Sequence, residues 1–119
     1  MAKRVLIVED SEDFRLLIQE IVEAMGHEVV VAERATEAWR VMQKSPVSLV
    51  LLDIKMPKIK GHAFLKYIRE KGLQVPVIVV SGYLNPGVME VLLEYRVRQV
   101  ISKPFKIQRL TREISQILD

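Results

Sequence analysis

Short runs of valine, isoleucine and leucine recur at regular intervals along the chain. Five of them lie at residues 4–8, 28–32, 48–52, 75–80 and 99–102. Continuous apolar runs of this length are typical of strands that are buried on both faces, as in a parallel sheet, whereas half-exposed strands alternate apolar and polar residues. The pattern therefore predicts five parallel strands.

The segments between these runs place apolar residues three and four positions apart, which is the pattern of an amphipathic helix. The first such segment runs from Phe14 to Met25, and Gly26 follows as a C-terminal stop. Further helices are predicted at about 36–44, 62–71 and 88–95, and a last one over 107–118. Strict alternation with right-handed crossovers predicts a doubly wound α/β sheet with strand order 2-1-3-4-5 and helices on both faces.

Length and composition favour a single soluble domain. The 119 residues include no linker or low-complexity tract, so we expect one domain over 1–119 and no output domain. The chain has no cysteine, which excludes disulfides and thiolate sites and makes a reducing cytoplasm the simplest location. Glu9 and Asp10 end the first apolar run too early for a signal peptide or a membrane span. We expect no membrane insertion.

The net charge of +3 and the pI near 9.3 are weak evidence for a nucleic-acid partner. The 18 lysines and arginines are interleaved with 15 acidic residues along the whole chain, instead of forming one basic block. We therefore expect that this domain binds no nucleic acid.

Polar residues directly follow four of the five predicted strands. Glu9 and Asp10 follow the first strand, Asp53 the third, Ser81 the fourth and Lys103 the fifth. In open sheets of this kind, ligands bind at the carboxyl ends of the strands, next to the point where the winding direction reverses. These residues are therefore expected to lie around one crevice.

Three carboxylates at neighbouring strand ends repel each other unless a cation lies among them. Mg²⁺ prefers oxygen ligands and is typically held by one or two carboxylates together with phosphate oxygens. Lys103 would add an ammonium and Ser81 a hydroxyl near Asp53, and this combination suits the transfer of a phosphoryl group to a carboxylate nucleophile. The bond between Lys103 and Pro104 admits a cis peptide.

Four segments resemble the motifs of response-regulator receiver domains of two-component signalling, in the same order and spacing. They are "VLIVEDSEDF", "LVLLDIKMPKIKG", "PVIVVSG" and "VISKPF". The resemblance covers the chain from Arg4 to the last helix. It implies a flavodoxin-like fold and a signalling role. Phosphorylation would switch the binding of a downstream protein at the face formed by the fourth helix, the fifth strand and the fifth helix.

The resemblance also implies a role for each site residue. Asp53 would accept a phosphoryl group from a phosphohistidine of a sensor kinase or phosphotransfer protein, and Ser81 and Lys103 would contact the phosphoryl oxygens. Asp10 and Asp53 would bind Mg²⁺ together with the backbone carbonyl of Lys55, and Glu9 would act through a metal-bound water. Catalysis would be limited to the phosphorylation and dephosphorylation of Asp53, without turnover of an external substrate.

The chain departs from the family pattern before Lys103. Arg96 and Val97 stand where Gly-Ala is usual, and Val100 stands where a tyrosine or phenylalanine usually swings inward on activation. Ser81 replaces the commoner threonine. We expect phosphorylation of Asp53 still to pull on Ser81. Because Val100 cannot rotate as an aromatic residue would, we expect other side chains to transmit the signal, with Tyr83 and Tyr95 as candidates.

Three alternative functions compete with this one. A nucleotide or flavin carrier would need a glycine-rich or hydroxyl-rich loop after the first strand, where this chain is acidic. A phosphatase of the haloacid-dehalogenase type would need a second aspartate at position 55, which is Lys55. A receiver-like scaffold that binds partners without being phosphorylated stays open, since Val100 favours it and the complete acidic, hydroxyl and lysine set argues against it.

Overall fold

The computed structural model describes residues 3–54, 60–82 and 84–119, without the side chains of residues 60–62. Strands and helices alternate strictly along the chain. They are β1 (Arg4–Val8), α1 (Glu12–Ala24), β2 (Glu28–Ala32), α2 (Ala35–Lys44), β3 (Leu49–Leu52), α3 (Lys60–Glu70), β4 (Val77–Ser81), α4 (Pro86–Glu94), β5 (Gln99–Ser102) and α5 (Ile107–Leu118).

The five strands form one parallel sheet in the order β2-β1-β3-β4-β5. This confirms the predicted strand order and fold class. Alternate residues of each strand point to opposite faces, and both faces are covered. One core lies under α2, α3 and α4, where Ala38, Leu65 and Leu92 are fully buried; the other lies under α1 and α5, with Val22 and Ile114 at its centre.

The strand bounds agree with the prediction to within two residues. The largest difference is in β4, which was expected over 75–80 and spans Val77–Ser81. Pro76 lacks an N–H group and contributes only its carbonyl, which accepts a hydrogen bond of 3.0 Å from the Val50 N–H. Regular pairing therefore begins one residue later, and it extends to Ser81, which lies opposite Ser102.

Helix α4 begins two residues before its expected start. Asn85 is the N-cap, and its side-chain oxygen accepts a hydrogen bond of 2.9 Å from the Val88 N–H. Pro86 occupies the first turn, where its missing N–H costs nothing. The Asn-Pro pair is thus a helix start signal, which the apolar spacing alone did not reveal.

Helices α1, α3 and α4 end in the same hydrogen-bonded turn, in which a residue just beyond the helix adopts a positive φ. Gly26 (φ 89°) and Gly72 (φ 81°) occupy this position after α1 and α3, and Arg96 (φ 60°) occupies it after α4. After α4, the N–H of Arg96 bonds to the Leu93 carbonyl and that of Val97 to the Leu92 carbonyl. This is the Schellman arrangement, which normally uses glycine because a Cβ disfavours the left-handed conformation.

Arg69 joins the end of α3 to the end of α4. Its guanidinium donates to the carbonyls of Tyr95 (2.9 Å), Leu73 (2.9 Å), Val75 (2.9 Å) and Arg96 (3.4 Å). Burial, and secondarily the like charge of Arg96, lower the pKa of this guanidinium. The planar group with its five donors suits this cluster of helix-terminal carbonyls.

Candidate functional site

Backbone hydrogen bonds at the sheet edge set the positions of the site residues. The Asp53 N–H donates to the Val8 carbonyl (2.9 Å), and the Glu9 N–H donates to the Ala32 carbonyl (3.0 Å). The Lys103 N–H donates to the Ser81 carbonyl in the same way (2.9 Å). Each of these residues therefore leaves the sheet with a fixed backbone, at the edge where parallel strands present ligand sites.

Three carboxylates converge at this edge, as the sequence predicted. Glu9, Asp10 and Asp53 each offer an oxygen, and these oxygens lie within 4.8 Å of one another. The side chains of Glu9 and Asp53 are 2% and 6% exposed, whereas Asp10 lies at the surface. The cluster is thus buried on one side and open to solvent on the side of Asp10.

Lys103 places its ammonium among these carboxylates. Its Nζ lies 2.6 Å from Glu9 Oε1 and 3.7 Å from Asp53 Oδ1, and its side chain is 12% exposed. The second oxygen of Glu9 accepts the Ser11 N–H at 3.2 Å. A buried charge is tolerated where its partners compensate it, and Glu9 has both a cation and a backbone donor. The peptide between Lys103 and Pro104 is cis, as the sequence allowed.

The ring of Phe14 lies against the Lys103 ammonium, a contact that the sequence does not predict. The Nζ lies 4.0 Å from the centroid of the Phe14 ring. The spacing of apolar residues in α1 predicts that Phe14 is a core residue. No local signal distinguishes the two roles, because the contact joins residues far apart in the chain.

Ser81 is fully buried at the end of β4. Its hydroxyl donates a hydrogen bond of 2.5 Å to the carbonyl of Ile54, the residue after Asp53. The hydroxyl is therefore tied to the segment that leaves β3.

Two predicted participants lie outside the described residues. These are Lys55, whose backbone carbonyl was expected to bind the metal, and Tyr83, a candidate for passing on the signal. Val100 lies opposite Val79 in the sheet and packs, like Tyr95, against the core under α2, α3 and α4. The role of Tyr95 in signalling stays a prediction.

The donor set fits a hard divalent cation. All three converging groups are carboxylates, and Mg²⁺ is bound by carboxylate oxygens in preference to softer ligands. The surface position of Asp10 leaves the cluster accessible from solvent. Within the described part of the chain, no helix combines the length and apolar composition needed to cross a bilayer.

A family model described as "Response regulator receiver domain" matches residues 5–115. The chain belongs to this family. Receiver domains act in signalling and not in the turnover of external substrates, and the family binds Mg²⁺ at an acidic pocket. In this receiver domain, the carboxylates of Glu9, Asp10 and Asp53 form an acidic cluster.

Curated relatives agree with this assignment. The polar-differentiation response regulator DivK of Brucella ovis is 30% identical over 120 residues, which cover 99% of this receiver domain and 98% of DivK. Regulator of RpoS of Escherichia coli K12 is 32% identical over 114 residues, but the match covers 96% of this chain and 34% of that protein. The chain thus spans about a third of the length of that longer relative.

Solved structures show the same fold. A CheY-like response regulator receiver domain protein from Methanospirillum hungatei superposes with a TM-score of 0.90 at 28% identity, covering 98% of this chain and 93% of that chain. The receiver domain of NtrX from Brucella abortus gives a TM-score of 0.87 at 30% identity, covering 96% and 97%.

Proposed function

We propose that Asp53 accepts a phosphoryl group from a phosphohistidine on a sensor kinase or phosphotransfer protein in the cytoplasm. The observation that carries this proposal is the position of Asp53 within a cluster of three carboxylates, 3.7 Å from the Lys103 ammonium. A nucleophilic carboxylate needs positive charge nearby to offset its repulsion of an incoming phosphoryl group. Lys103 supplies one positive charge, and a Mg²⁺ ion held by the acidic cluster would supply more.

In the transfer, an oxygen of Asp53 forms a bond to phosphorus as the P–N bond of the phosphohistidine breaks. The electron pair of the broken bond returns to the imidazole nitrogen. Lys103, held beside Asp53 by Glu9, would neutralise a phosphoryl oxygen. The Ser81 hydroxyl, bonded to Ile54 beside Asp53, would exchange that carbonyl for a phosphoryl oxygen.

Asp10 and Asp53 would hold Mg²⁺ together with the backbone carbonyl of Lys55, and Glu9 would act through a metal-bound water. The bound ion would neutralise charge on the phosphoryl oxygens. Glu9 already accepts hydrogen bonds from Lys103 and Ser11, which suits an indirect contact with the ion through water.

The output would be a change in partner binding at the face formed by α4, β5 and α5. A shift of the Ser81 hydroxyl would free the carbonyl of Ile54, the residue after Asp53. A second candidate function is a scaffold that binds partners without phosphorylation. The packing of Val100 against the core favours it, because valine has no ring that could rotate inward as a switch.

Incubation with Mg²⁺ and acetyl phosphate, followed by intact mass measurement, separates the two functions. We expect the mass to rise by one phosphoryl group, and hydroxylamine, which cleaves acyl phosphates, to remove it. Asp53→Asn should abolish the gain, whereas the matched control Asp13→Asn, an exposed acid in the first turn of α1, should retain it. An unmodified wild-type protein would favour the scaffold.

A further inference from the structure

Phe14 contacts Lys103 and is not among the described side chains that pack against the two hydrophobic cores. Its ring is half-buried. The Lys103 Nζ lies 4.0 Å from the centroid of the Phe14 ring. The centroid of the Phe105 ring lies 6.4 Å from that of Phe14, at an interplanar angle of 40°. We propose that Phe14 is a positioning residue that holds the Lys103 ammonium ready for the phosphoryl group through a cation–π contact.

The contacts of Lys103 explain why an aromatic face is useful here. Glu9 takes one N–H in a hydrogen bond of 2.6 Å, and the nearest Asp53 oxygen lies farther from the ammonium, at 3.7 Å. An aromatic face attracts the cation through its quadrupole without using an N–H in a strong hydrogen bond. The remaining N–H groups therefore stay available for a phosphoryl oxygen.

The ring also limits the conformations of a long side chain. A free lysine loses considerable rotamer entropy when it is fixed, and a lysine that is already fixed pays this cost before the reaction. Because the ring excludes water from one side of the ammonium, the interaction of Lys103 with an incoming anion is less screened. Both effects favour the reaction without contact between Phe14 and the phosphoryl group.

The inference rests on the proposed function. Fluorination of the Phe14 ring tests it, because fluorine lowers the electron density of the ring face and leaves the ring shape nearly constant. Fluorinated phenylalanines with one, two and three fluorines, inserted site-specifically at position 14, progressively weaken the negative ring face. We expect the rate of phosphorylation by acetyl phosphate to fall stepwise along this series, and Phe14→Leu to lose about tenfold. Phe14→Tyr, which keeps the aromatic face, should remain close to the wild type.

A matched control and a second readout separate positioning from packing. The same fluorinated residues at Phe105, which touches Phe14 and packs on the core, should leave the rate unchanged. In the metal-free protein, the Lys103 Hε protons should show an upfield ring-current shift in NMR spectra that Phe14→Leu removes. Thermal unfolding of each variant checks that the fold is intact.

The outcomes are distinct. A wild-type protein that accepts no phosphate overturns the proposed function, and this inference with it. A phosphorylated wild type whose rate does not respond to fluorination at position 14 overturns the role of Phe14 alone, as does an unshifted Lys103 resonance.

Discussion

Lys103 and Glu9, 94 positions apart in the chain, form an ion pair with 2.6 Å between Nζ and Oε1 in an almost fully buried environment. Glu9 therefore holds the ammonium more closely than Asp53 does. This pair joins the end of β1 to the segment after β5, across the central part of the sheet. It fixes the lysine beside the expected phosphoacceptor before any phosphate arrives.

Replacing Lys103 by methionine should destabilise the metal-free protein by about 3 kcal/mol, because removing one partner of a buried pair leaves the other charge uncompensated. Mg²⁺ should restore much of this loss, since the ion supplies positive charge to the same carboxylates. Urea unfolding with chelator and with Mg²⁺ measures both effects. Lys66→Met, at an exposed position of α3, serves as the control and should change stability little. Equal losses with and without Mg²⁺ would contradict the prediction.

Replacing Ser81 by alanine should cost about 1–2 kcal/mol of stability, because it leaves the buried carbonyl of Ile54 without its hydroxyl donor. The same variant should slow phosphorylation of Asp53. Ser102→Ala is a matched control, since Ser102 lies directly opposite in the sheet but is exposed. Chemical denaturation and the acetyl phosphate assay provide the two measurements. Similar behaviour of the two alanine variants would argue against a special role for the Ser81 hydroxyl.

Replacing Arg96 by glycine should stabilise the protein by about 1 kcal/mol, since its φ of 60° is disfavoured by a Cβ. The change also removes a positive charge near Arg69. Arg96→Ala separates the two effects, because it removes the charge and retains the Cβ. We expect the glycine variant to be more stable than the alanine variant in thermal unfolding, and the reverse order would show that backbone strain at this position is negligible.

Arg96 departs from the Gly-Ala that is usual in the family, but the sequence does not predict its left-handed conformation. Gly26 and Gly72 mark their helix ends in the sequence because glycine tolerates a positive φ. Arginine carries no such signal. The turn after α4 forms at Arg96 because the packing of Leu92 and Val97 against the core and the hydrogen bonds from Arg69 outweigh the local preference.

The sequence by itself determined the sheet, its strand order and the edge at which polar residues gather. Apolar runs that lack alternation require burial on both faces, and parallel strands bring their carboxyl ends to one edge, so Glu9, Asp10 and Asp53 had to be neighbours. The tertiary structure alone decided that Lys103 pairs most closely with Glu9 and lies against Phe14. Those contacts depend on side-chain rotamers and on the relative placement of β1, α1 and the segment after β5. The spacing of residues along the chain predicts neither the rotamers nor this placement.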